Sequence, residues 1–500
     1  MGRSEERDVQ LERLIRELPW AEVEGPLSGE VKAIVYDSRK VMPGYLFVAL
    51  KGHSQDGHRF LDEAIRKGAV GAVVQNKVQS GFSAPVIRVP DTRKALYQLA
   101  AAFYGWPQKE LKLIGITGTN GKTTTSYLLE SILRQAGYHP GVIGTVNYRI
   151  GKLTCPAPVT TPESLDLMRA LRKMADQGTT HVVMEVSSHA LDQGRVGDCP
   201  FQVGVFTNLS RDHLDYHGSM DAYFHAKSLL FQHLGARCET AKGWDVINAD
   251  TPYGQRLMKM TDALVLTYGL GEGCHVRARN VSVTSEELGA EIATPSGWVK
   301  VSCPLLGRFN LYNMLAAVGA ALCEEVSLEE IAEGLSQVSC VPGRVEPIKN
   351  NLGISVVVDY AHTPDALEKV LRDLRPLVNG RVITVFGCGG DRDKGKRPEM
   401  GRIAAMQSDL LIITSDNPRT EDPQEIVDQI CKGVEGVSGG APYIVELDRG
   451  KAIKKALGEA RKGDLVLIAG KGHEDYQIIG TEKRPFDDRK VTAELPSRMR

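Results

Sequence analysis

Short apolar runs alternate with helical patterns along most of the sequence, and breaks in this alternation divide it into three stretches. Over 31–89 the runs are β-rich and separated by Gly, Pro and Asp turns, with one helical pattern at 60–67. From 113 onward strand-like runs alternate with helical patterns, which indicates a mostly parallel sheet covered by helices. After a break at 341–343 the same alternation resumes as a second, open α/β pattern.

The pattern predicts an α/β protein of three domains. We expect a small N-terminal α/β domain at 1–107, a central domain with a mostly parallel sheet at 108–341, and a C-terminal Rossmann-like α/β domain at 342–500. The central domain is expected to be P-loop ATPase-like, because the glycine- and lysine-containing segment 118–124 follows its first strand and precedes a helix. Strands are predicted at 34–36, 46–49, 70–74, 86–89, 114–117, 142–145, 181–185, 203–208, 245–248, 263–268, 355–360, 381–386, 410–415, 443–446 and 464–469. Helices are predicted at 60–67, 92–104, 126–135 and 310–323, and short strand-like pieces at 276–301.

Composition and charge limit the partners and the location. The 61 Lys and Arg nearly balance the 62 Asp and Glu, so no bulk field favours nucleic acid or an anionic membrane. Apolar runs such as 410–413 are far shorter than the ~20 residues that span a bilayer, and the charged, amphipathic N-terminus is unlike a secretory signal. The nine cysteines, without C-x-x-C spacing, favour reduced thiols. We therefore expect a cytoplasmic protein without membrane insertion or nucleic-acid binding. A monomer is the expected oligomeric state, although none of these features determines it.

A glycine-rich segment follows the strand predicted at 114–117 and precedes the helix predicted at 126–135. In such a strand–loop–helix, backbone N–H groups face phosphates, a lysine reaches the terminal phosphates and a threonine hydroxyl binds Mg²⁺. The residues expected to bind ATP are Gly118, Thr119, Asn120, Gly121, Lys122, Thr123 and Thr124. The strict G-x-x-x-x-G-K-[ST] spacing fails, because Ile116 stands where the first glycine belongs. The alternative is a glycine-rich turn with a surface lysine.

Polar residues follow two further predicted strands, at the edge where ligands bind in open α/β folds. Glu185 ends the strand at 181–185 and can hold Mg²⁺, and His213 follows the strand at 203–208 as a second candidate ligand. Alternatively, His213 and His217 form a zinc site at helical spacing. Against zinc, H-L-D-Y-H lacks the glutamate of zinc proteases and no further ligand is evident.

Five motifs, in order and across nearly the whole chain, resemble those of the Mur ligases, the ATP-dependent enzymes that extend the peptide of the bacterial cell-wall precursor. They are G-T-N-G-K-T-T, M-E-V-S-S-H, T-N-L-S-R-D-H-L-D-Y-H-G, G-R-F-N-L-Y-N and V-V-D-Y-A-H-T-P-D-A-L. The resemblance implies that ATP converts a substrate carboxylate into an acyl phosphate, which an amine then attacks. A carboxylate needs this activation because its charge repels nucleophiles and its leaving group is oxide.

The same resemblance assigns the catalytic groups. It implies that Thr123, Glu185 and His213 hold magnesium ions. It also implies that Lys227 is carbamylated to make a further anionic metal ligand, although from sequence alone Lys227 is a solvated helix lysine. Lys122, Lys227 and His213 are the expected catalytic residues, with Lys122 neutralising charge on the γ-phosphoryl group.

Three further residues resemble nucleotide contacts of the family. Asn310 resembles an adenine-contacting asparagine, and Arg344 and Asp359 resemble residues through which the C-terminal domain closes on ATP and excludes water. Without the family, Asn310 could equally cap a helix, and Arg344 and Asp359 could form structural ion pairs.

The C-terminal domain is expected to select the attacking amine. The tetrapeptide Asp416-Asn417-Pro418-Arg419 resembles the signature of family members that add meso-diaminopimelate, in which the arginine fork suits the distal carboxylate. Taken alone, D-N-P-R could be merely a turn. The other residues that resemble diaminopimelate contacts are Arg392, Gly470 and Glu474, the last expected to pair with the distal ammonium.

The acceptor carboxylate is expected to arrive on a uridine-diphosphate sugar peptide bound partly by the N-terminal domain. Its expected contacts, which would otherwise pass for ordinary surface loops, are Tyr36, Ser38, His53, Ser54, Gln55, Thr160, Thr161, Ser187, Gln193 and Arg195.

The resemblance therefore implies a ligase that uses ATP and Mg²⁺ to add meso-2,6-diaminopimelate to the D-glutamate carboxylate of UDP-N-acetylmuramoyl-L-alanyl-D-glutamate. The nearest rival is the lysine-adding ligase of the same family, and folylpolyglutamate synthetase would lack the uridine-nucleotide segments. A nucleotide-switch or motor ATPase would instead release phosphate without any acceptor, and a non-catalytic binding module is the weakest alternative.

Overall fold

The computed structural model describes residues 8–52, 55–77, 81–232, 243–284 and 286–498. These residues form two compact units, the first containing 8–114 and 139–202 and the second the remainder. The predicted phosphate loop and all of the chain beyond 243 belong to the second unit.

The first unit combines two groups of strands with short helices. As far as it is described, its strands are β1 (Val9–Gln10), β2 (Glu22–Glu24), β3 (Glu30–Val31), β4 (Ala33–Val35), β5 (Tyr45–Val48), β6 (Gly71–Val74), β7 (Val86–Arg88), β8 (Lys112–Thr117, which continues into the second unit), β9 (Pro140–Ile143), β10 (Asn147–Ile150), β11 (Leu153–Pro156) and β12 (His181–Glu185). Its α-helices are Leu11–Ile15, Leu61–Arg66, Thr92–Phe103, Ser164–Asp176 and Ser188–Asp192, with 3₁₀ turns at Ser38–Lys40, Gly57–Phe60 and Pro107–Lys109.

One sheet of the first unit has the order β2-β7-β6-β5-β4, parallel except for β2. Phe47 and Ala72 pair across β5 and β6 and pack with Leu61 of the following helix, so one face of the sheet is covered. The other strands have the order β11-β10-β9-β12-β8, in which β9 and β12 are parallel and β10 and β11 form an antiparallel hairpin.

The second unit is larger. As far as it is described, its strands are β13 (Phe201–Phe206, whose first two residues belong to the first unit), β14 (Trp244–Asn248), β15 (Leu264–Gly269), β16 (Val276–Val283), β17 (Leu288–Thr294), β18 (Gly297–Cys303), β19 (Glu346–Pro347), β20 (Ser355–Asp359), β21 (Val382–Phe386), β22 (Leu410–Ile413), β23 (Tyr443–Val445), β24 (Leu465–Ala469), β25 (Tyr476–Ile479) and β26 (Glu482–Pro485). Its helices are Lys122–Gln135, Leu214–His217, Met220–Ser228, Pro252–Leu257, Phe309–Cys323, Leu328–Ser336, Pro364–Leu374, Lys396–Gln407, Pro423–Glu435, Arg449–Glu459 and Asp488–Arg498, with a 3₁₀ turn at Arg375–Leu377.

Strands β8-β13-β14-β15-β16-β17-β18 follow one another in the second unit, with β13 to β16 parallel and β16 to β18 antiparallel. A separate six-stranded sheet has the order β19-β20-β24-β21-β22-β23 and is parallel except for β19. Along β24, Leu465 and Leu467 join the core on one face, while Val466 and Ile468 join the core on the other. Helices therefore cover both faces, as in Rossmann-like sheets.

Most predicted elements lie within two residues of the observed bounds, and two differ by more. The helix expected at 126–135 is Lys122–Gln135, because Gly121 adopts a left-handed conformation that ends the loop immediately before Lys122. The region 276–301, expected as short pieces, is a meander of three long strands with a bulge between Arg279 and Ser282.

Candidate active site

The phosphate loop is shaped by two glycines with positive φ. Gly118 has φ 145° and Gly121 has φ 91°. A Cβ at Gly118 would lie 1.9 Å from Thr207 Oγ1, and one at Gly121 would lie 2.3 Å from Asn313 Oδ1. Both positions therefore exclude a side chain on conformational and steric grounds, which explains the glycine spacing of this loop.

The segment after β13 holds the loop in place. Thr119 N donates to Asn208 O (2.9 Å), and Asn120 N donates to Asn208 Oδ1 (3.0 Å). In return, Thr207 Oγ1 and Asn208 Nδ2 donate to Asn120 O, at 2.7 and 3.1 Å. Sequence reasoning did not single out Thr207 and Asn208. Their position just past a parallel strand, beside the loop, was the available signal.

Two lysine amines meet at one carbonyl of the loop. Lys122 Nζ donates to Gly118 O (2.8 Å) and Thr119 O (2.9 Å), and Lys227 Nζ donates to Gly118 O (2.9 Å). Lys227 is buried, and its Nζ lies 4.6 Å from the centroid of the Tyr223 ring. Burial, reinforced by the nearby charge of Lys122, lowers the pKa of Lys227 well below its ordinary value. The prediction of a solvated helix lysine, made without the family, is wrong.

An acidic and basic cluster follows the loop segment. His213 has φ 54°, and its Nε2 lies 3.4 Å from Asp212 Oδ2. His362 Nε2 lies 3.9 Å from the same oxygen. Burial alone would raise the pKa of Asp212, but the neighbouring cationic groups outweigh burial and lower it. Within the described ranges no three His, Cys, Asp or Glu side chains form a metal-binding group, so the structure adds no support to zinc at His213 and His217.

Residues beyond 340 reach the phosphate loop within the second unit. Arg344 Nη2 donates to Thr123 Oγ1 (3.1 Å), and Asn120 Nδ2 donates to Asp365 Oδ2 (2.9 Å). Asp359 accepts from the backbone N–H groups of Val345 and Ala361, both at 2.7 Å, and its burial raises its pKa. Asp365 carried no sequence signal beyond its place in the V-V-D-Y-A-H-T-P-D-A-L motif.

Asn310 is buried in the first turn of the helix Phe309–Cys323. Its Nδ2 donates to Leu306 O (2.7 Å), and its Oδ1 accepts from Asn313 Nδ2 (2.8 Å). The alternative of a capping asparagine is wrong, because the N-cap position is occupied by Arg308.

The candidate diaminopimelate residues come together in the second unit. Asn417 Nδ2 donates to Glu474 Oε2 (2.9 Å), and a Cβ at Gly470 would lie 2.6 Å from Asp416 Oδ2. Arg419 has φ 52°, and its Nη1 donates to Gly390 O (2.7 Å). Positive φ at a non-glycine residue is a strained conformation that concentrates at functional sites.

The loop around Gly390 carries Arg392, whose exposed side chain donates to Asp391 O (3.3 Å). A buried anchor supports this loop: Arg397 donates to both oxygens of Glu421 at 2.9 Å and to Gly389 O at 3.1 Å. The Arg397 hydrogen bonds lower the pKa of Glu421 to about 2. Sequence reasoning missed Arg397 and Glu421, because neither lies in a recognised motif.

Glu185 lies in the first unit with a threonine partner. Its Oε1 accepts from Thr145 N (2.9 Å) and its Oε2 from Thr145 Oγ1 (2.8 Å). Thr160 Oγ1 lies 3.1 Å from Thr145 Oγ1, and Thr161 Oγ1 donates to Glu185 O (2.9 Å). Ser187 N donates to Thr161 Oγ1 at 3.0 Å. Four predicted positions therefore share one hydrogen-bonded cluster.

Arg195 extends this cluster. It donates through Nη1 to Thr161 O (3.0 Å) and through Nε to Gln193 Oε1 (3.1 Å). Tyr36 donates to Asp166 Oδ2 (2.6 Å), and Ser38 is buried in a 3₁₀ turn. Asp166 was not predicted. Of the remaining predicted positions, Gln55 is exposed, and His53 and Ser54 lie outside the described residues.

Models of Mur ligase domains match three parts of the sequence. "Mur ligase family, catalytic domain" matches residues 30–104, "Mur ligase middle domain" matches 116–321, and "Mur ligase, glutamate ligase domain" matches 343–472. The chain belongs to the Mur ligase family. The family and the enzyme class expected from the motifs are thereby confirmed.

Curated relatives of this Mur ligase align with nearly its whole sequence. A Geobacter metallireducens protein named UDP-N-acetylmuramoyl-L-alanyl-D-glutamate--2,6-diaminopimelate ligase is 48% identical, covering 97% of this chain and 98% of the relative. A Geobacillus thermodenitrificans protein of the same name is 46% identical, with 97% and 98% covered.

Solved structures agree with this Mur ligase in fold. A solved UDP-N-acetylmuramoyl-L-alanyl-D-glutamate--2,6-diaminopimelate ligase is 33% identical, has a TM-score of 0.68 and covers 99% of each chain. A MurF ligase from Thermotoga maritima in complex with ADP is 20% identical, with a TM-score of 0.64 and coverage of 93% and 97%, and carries information on the fold alone. The predicted three-domain α/β architecture with a mostly parallel central sheet is confirmed. Among the described residues no helix is long and apolar enough to cross a membrane.

Proposed function

We propose that this Mur ligase adds meso-2,6-diaminopimelate to the D-glutamate carboxylate of UDP-N-acetylmuramoyl-L-alanyl-D-glutamate, with release of ADP and phosphate. What carries the proposal is the 48% identity, across 97% of the chain, to a relative with the corresponding name. The hydrogen bond between Glu474 and Asn417, two residues along the chain from Arg419, supports the choice of amino acid. We also propose, as the sequence predicts, that the enzyme works as a monomer in the cytoplasm.

The donor groups present are compatible with Mg²⁺. A threonine hydroxyl and a carboxylate are the oxygen ligands that Mg²⁺ prefers, and Thr123 and Glu185 supply them. The lowered pKa of Lys227 favours the neutral amine, the form that reacts with carbon dioxide to give a carbamate. The ligands that the family resemblance implies are Thr123, Glu185, His213 and carbamylated Lys227. Bound Mg²⁺ would neutralise charge on the phosphates of ATP.

In the proposed first step the substrate carboxylate attacks the γ-phosphorus of ATP. The N-terminus of the helix Lys122–Gln135 and the backbone N–H groups of the loop would bind the phosphates. Lys122 would turn its ammonium from the carbonyls of the loop to the γ-phosphoryl group, where negative charge shifts as ADP leaves. Arg344, already bonded to Thr123 at the start of this helix, would supply a second cation. Asn310 and Asp359 complete the proposed nucleotide site.

In the proposed second step the amine of diaminopimelate attacks the acyl phosphate, and phosphate leaves as the amide forms. The planar fork of Arg419 matches the distal carboxylate, which lysine lacks. Glu474 would accept from the distal ammonium, with Arg392, Asp416, Asn417 and Gly470 around it. The uridine-diphosphate sugar peptide is assigned to the predicted residues of the first unit and to positions 53–55 of the sequence.

A substrate-omission assay tests the proposed function. The purified enzyme is given Mg²⁺, ATP and the UDP-sugar dipeptide, and ADP and amide product are measured with meso-diaminopimelate, with L-lysine and with no amine. We expect both products with diaminopimelate and little with lysine. Equal rates with lysine would favour the lysine-adding ligase, and full phosphate release without any acceptor would favour a switch ATPase.

Arg419→Ala provides a second arm of this assay. Loss of a charge-assisted fork costs ~1.5–3 kcal/mol, so the KM for diaminopimelate should rise about 10- to 150-fold while the KM for ATP stays nearly constant. Arg484→Ala, at an exposed arginine of β26, is the control. An equal rise in the KM values for diaminopimelate and ATP in Arg419→Ala would indicate that Arg419 has a structural role.

A further inference from the structure

A buried ammonium lies between the two segments of the candidate diaminopimelate site. Lys471 is 0% exposed, yet it carries a charge-bearing group. Its Nζ donates to Glu474 Oε2 (2.9 Å) and to Asn417 Oδ1 (3.2 Å), and lies 3.9 Å from Asp416 Oδ1. The neighbouring Tyr476 ring has its centroid 5.5 Å from the same nitrogen. Lys471 thus links both segments, although neither the motifs nor the resemblance assigned it a role.

The hydrogen bonds are distributed unevenly over the Glu474 carboxylate. Asn417 Nδ2 and Lys471 Nζ both donate to Oε2, each at 2.9 Å. Among the described residues no side chain donates to Oε1. An ionised carboxylate has about four acceptor positions, so Oε1 retains its capacity for an incoming N–H donor.

The charges of the cluster point to the same ligand. The three side chains that contact one another, Asp416, Glu474 and Lys471, carry two negative charges and one positive charge when ionised, which leaves one negative charge in excess. Arg419 is assigned to the carboxylate of the ligand and is counted with that group. The adjacent pair of Arg449 and Asp488 is fully buried and balances itself, with two contacts of 2.8 Å. A single ammonium group from an amino acid would neutralise the remainder, whereas without Lys471 the cluster would hold two uncompensated carboxylates.

We infer that Lys471 is a positioning residue for the acceptor amino acid: it holds Glu474 through Oε2, turns Oε1 toward the amino acid's ammonium and sets the net charge that admits one cation. This inference rests on the proposed function, since it places diaminopimelate beside Glu474. It goes beyond the residues expected to touch that substrate, because Lys471 acts through Glu474 and Asn417 rather than on the ligand.

The test compares Lys471→Met, which removes the charge, with Lys471→Gln, which keeps a donor, and with Lys483→Met. Lys483 is a matched control, because it is an exposed cation whose Nζ lies 3.5 Å from the centroid of the same Tyr476 ring. We expect Lys471→Met to raise the KM for diaminopimelate about 10- to 100-fold. The rise should be smaller in Lys471→Gln, and the KM of Lys483→Met should be close to that of wild type. The KM values for ATP and the UDP-sugar dipeptide should change less than about twofold, as this cluster contacts neither.

A double variant separates positioning from folding. Because Lys471 acts through Glu474, Lys471→Met combined with Glu474→Gln should have the same KM for diaminopimelate as Glu474→Gln alone. The double variant removes one charge of each sign, so the net charge of the cluster stays as in wild type. Three outcomes would each overturn the inference. The first is that the Lys471→Met and Glu474→Gln effects on the KM for diaminopimelate add in the double variant. The others are an unchanged KM for diaminopimelate in Lys471→Met and Lys471→Gln, and a parallel rise in the KM for ATP. If wild type prefers lysine, the proposed function fails, but the same comparisons, made with lysine, still decide the role of Lys471.

Discussion

At the scale of single residues, Lys122 and Lys227 both donate to the Gly118 carbonyl, but they differ in burial. Lys122 begins a helix beside the loop, whereas Lys227 is enclosed and over an aromatic ring. Two ammonium groups at one oxygen repel each other, so the more buried one gives up its proton more readily. This difference agrees with the proposed chemistry, in which Lys122 is the cation for phosphate and Lys227 the amine that is modified.

Asp245 is a second buried ionisable residue, far in sequence from the predicted site residues. It is 0% exposed on β14, and neither carboxyl oxygen has a hydrogen-bond partner among the described residues. Burial raises its pKa from 3.8 to about 7, and the nearby Thr261 hydroxyl offsets only part of that rise. The native state therefore retains a proton that the unfolded chain loses between about pH 4 and pH 7.

We predict that Asp245→Asn stabilises the protein more at pH 8 than at pH 5. Between those values the unfolded state of wild type binds fewer protons than the native state, so its unfolding free energy falls as pH rises and levels off above about 7. The full cost of the buried Asp245 carboxylate to the unfolding free energy is on the order of 4 kcal/mol. Urea unfolding at pH 5 and pH 8 measures the unfolding free energies of wild type and variant. Asp62→Asn, which replaces an exposed carboxylate, is the control. An identical change in stability at pH 5 and pH 8 would contradict the raised pKa.

At the scale of elements, the loop between β8 and its helix depends on backbone shape. We predict that Gly121→Ala raises the KM for ATP at least tenfold, because the added Cβ would meet Asn313 Oδ1 at 2.3 Å in a left-handed conformation. Gly137→Ala is the matched control, with φ 78° and open space around its Cβ. ATP titration of both variants measures the effect. Equal KM values for ATP in the two variants would mean that a side chain at Gly121 does not specifically disturb ATP binding, which would contradict the prediction.

Elements with a clear period and clear ends were predictable from sequence. The strand His181–Glu185 lies where the apolar run places it, and the helix Thr92–Phe103 ends one residue before the prediction. The hairpin β10–β11 was missed, because its half-buried and exposed residues show no apolar alternation. The start of the helix at Lys122 was missed because it depends on φ at Gly121, which the hydrophobic pattern does not encode.

For the candidate site, sequence motifs located the residues that would touch ligands but not those that support them. The motif D-N-P-R pointed to Arg419, yet the ammonium of Lys471 and the anchor formed by Arg397 and Glu421 follow only from the packing of distant segments. Burial of a lysine or arginine is a tertiary property, and a single charged letter in the sequence gives no sign of it. The ligand roles themselves stay predictions.

At the scale of the whole molecule, the second unit joins the phosphate loop to the helix Pro364–Leu374 beyond the predicted domain boundary. The bond from Asn120 to Asp365 and the bond from Arg344 to Thr123 connect segments more than 200 residues apart in sequence. The proposed acyl phosphate must be kept from water until the amine arrives, so contacts that hold these parts together should affect coupling as well as binding.

We predict that Asp365→Ala lowers coupling, so that more than one ADP forms per amide bond. Loss of the acceptor leaves Asn120 Nδ2 without this bond, a cost of ~0.5–1.5 kcal/mol that should raise the KM for ATP about 2- to 10-fold. Glu368→Ala is the control, because it removes an exposed carboxylate from the same helix. Parallel measurement of ADP and amide product gives the ratio directly. A ratio of one in Asp365→Ala, with wild-type KM for ATP, would mean that the contact only joins the two segments and has no part in holding water away from the reaction.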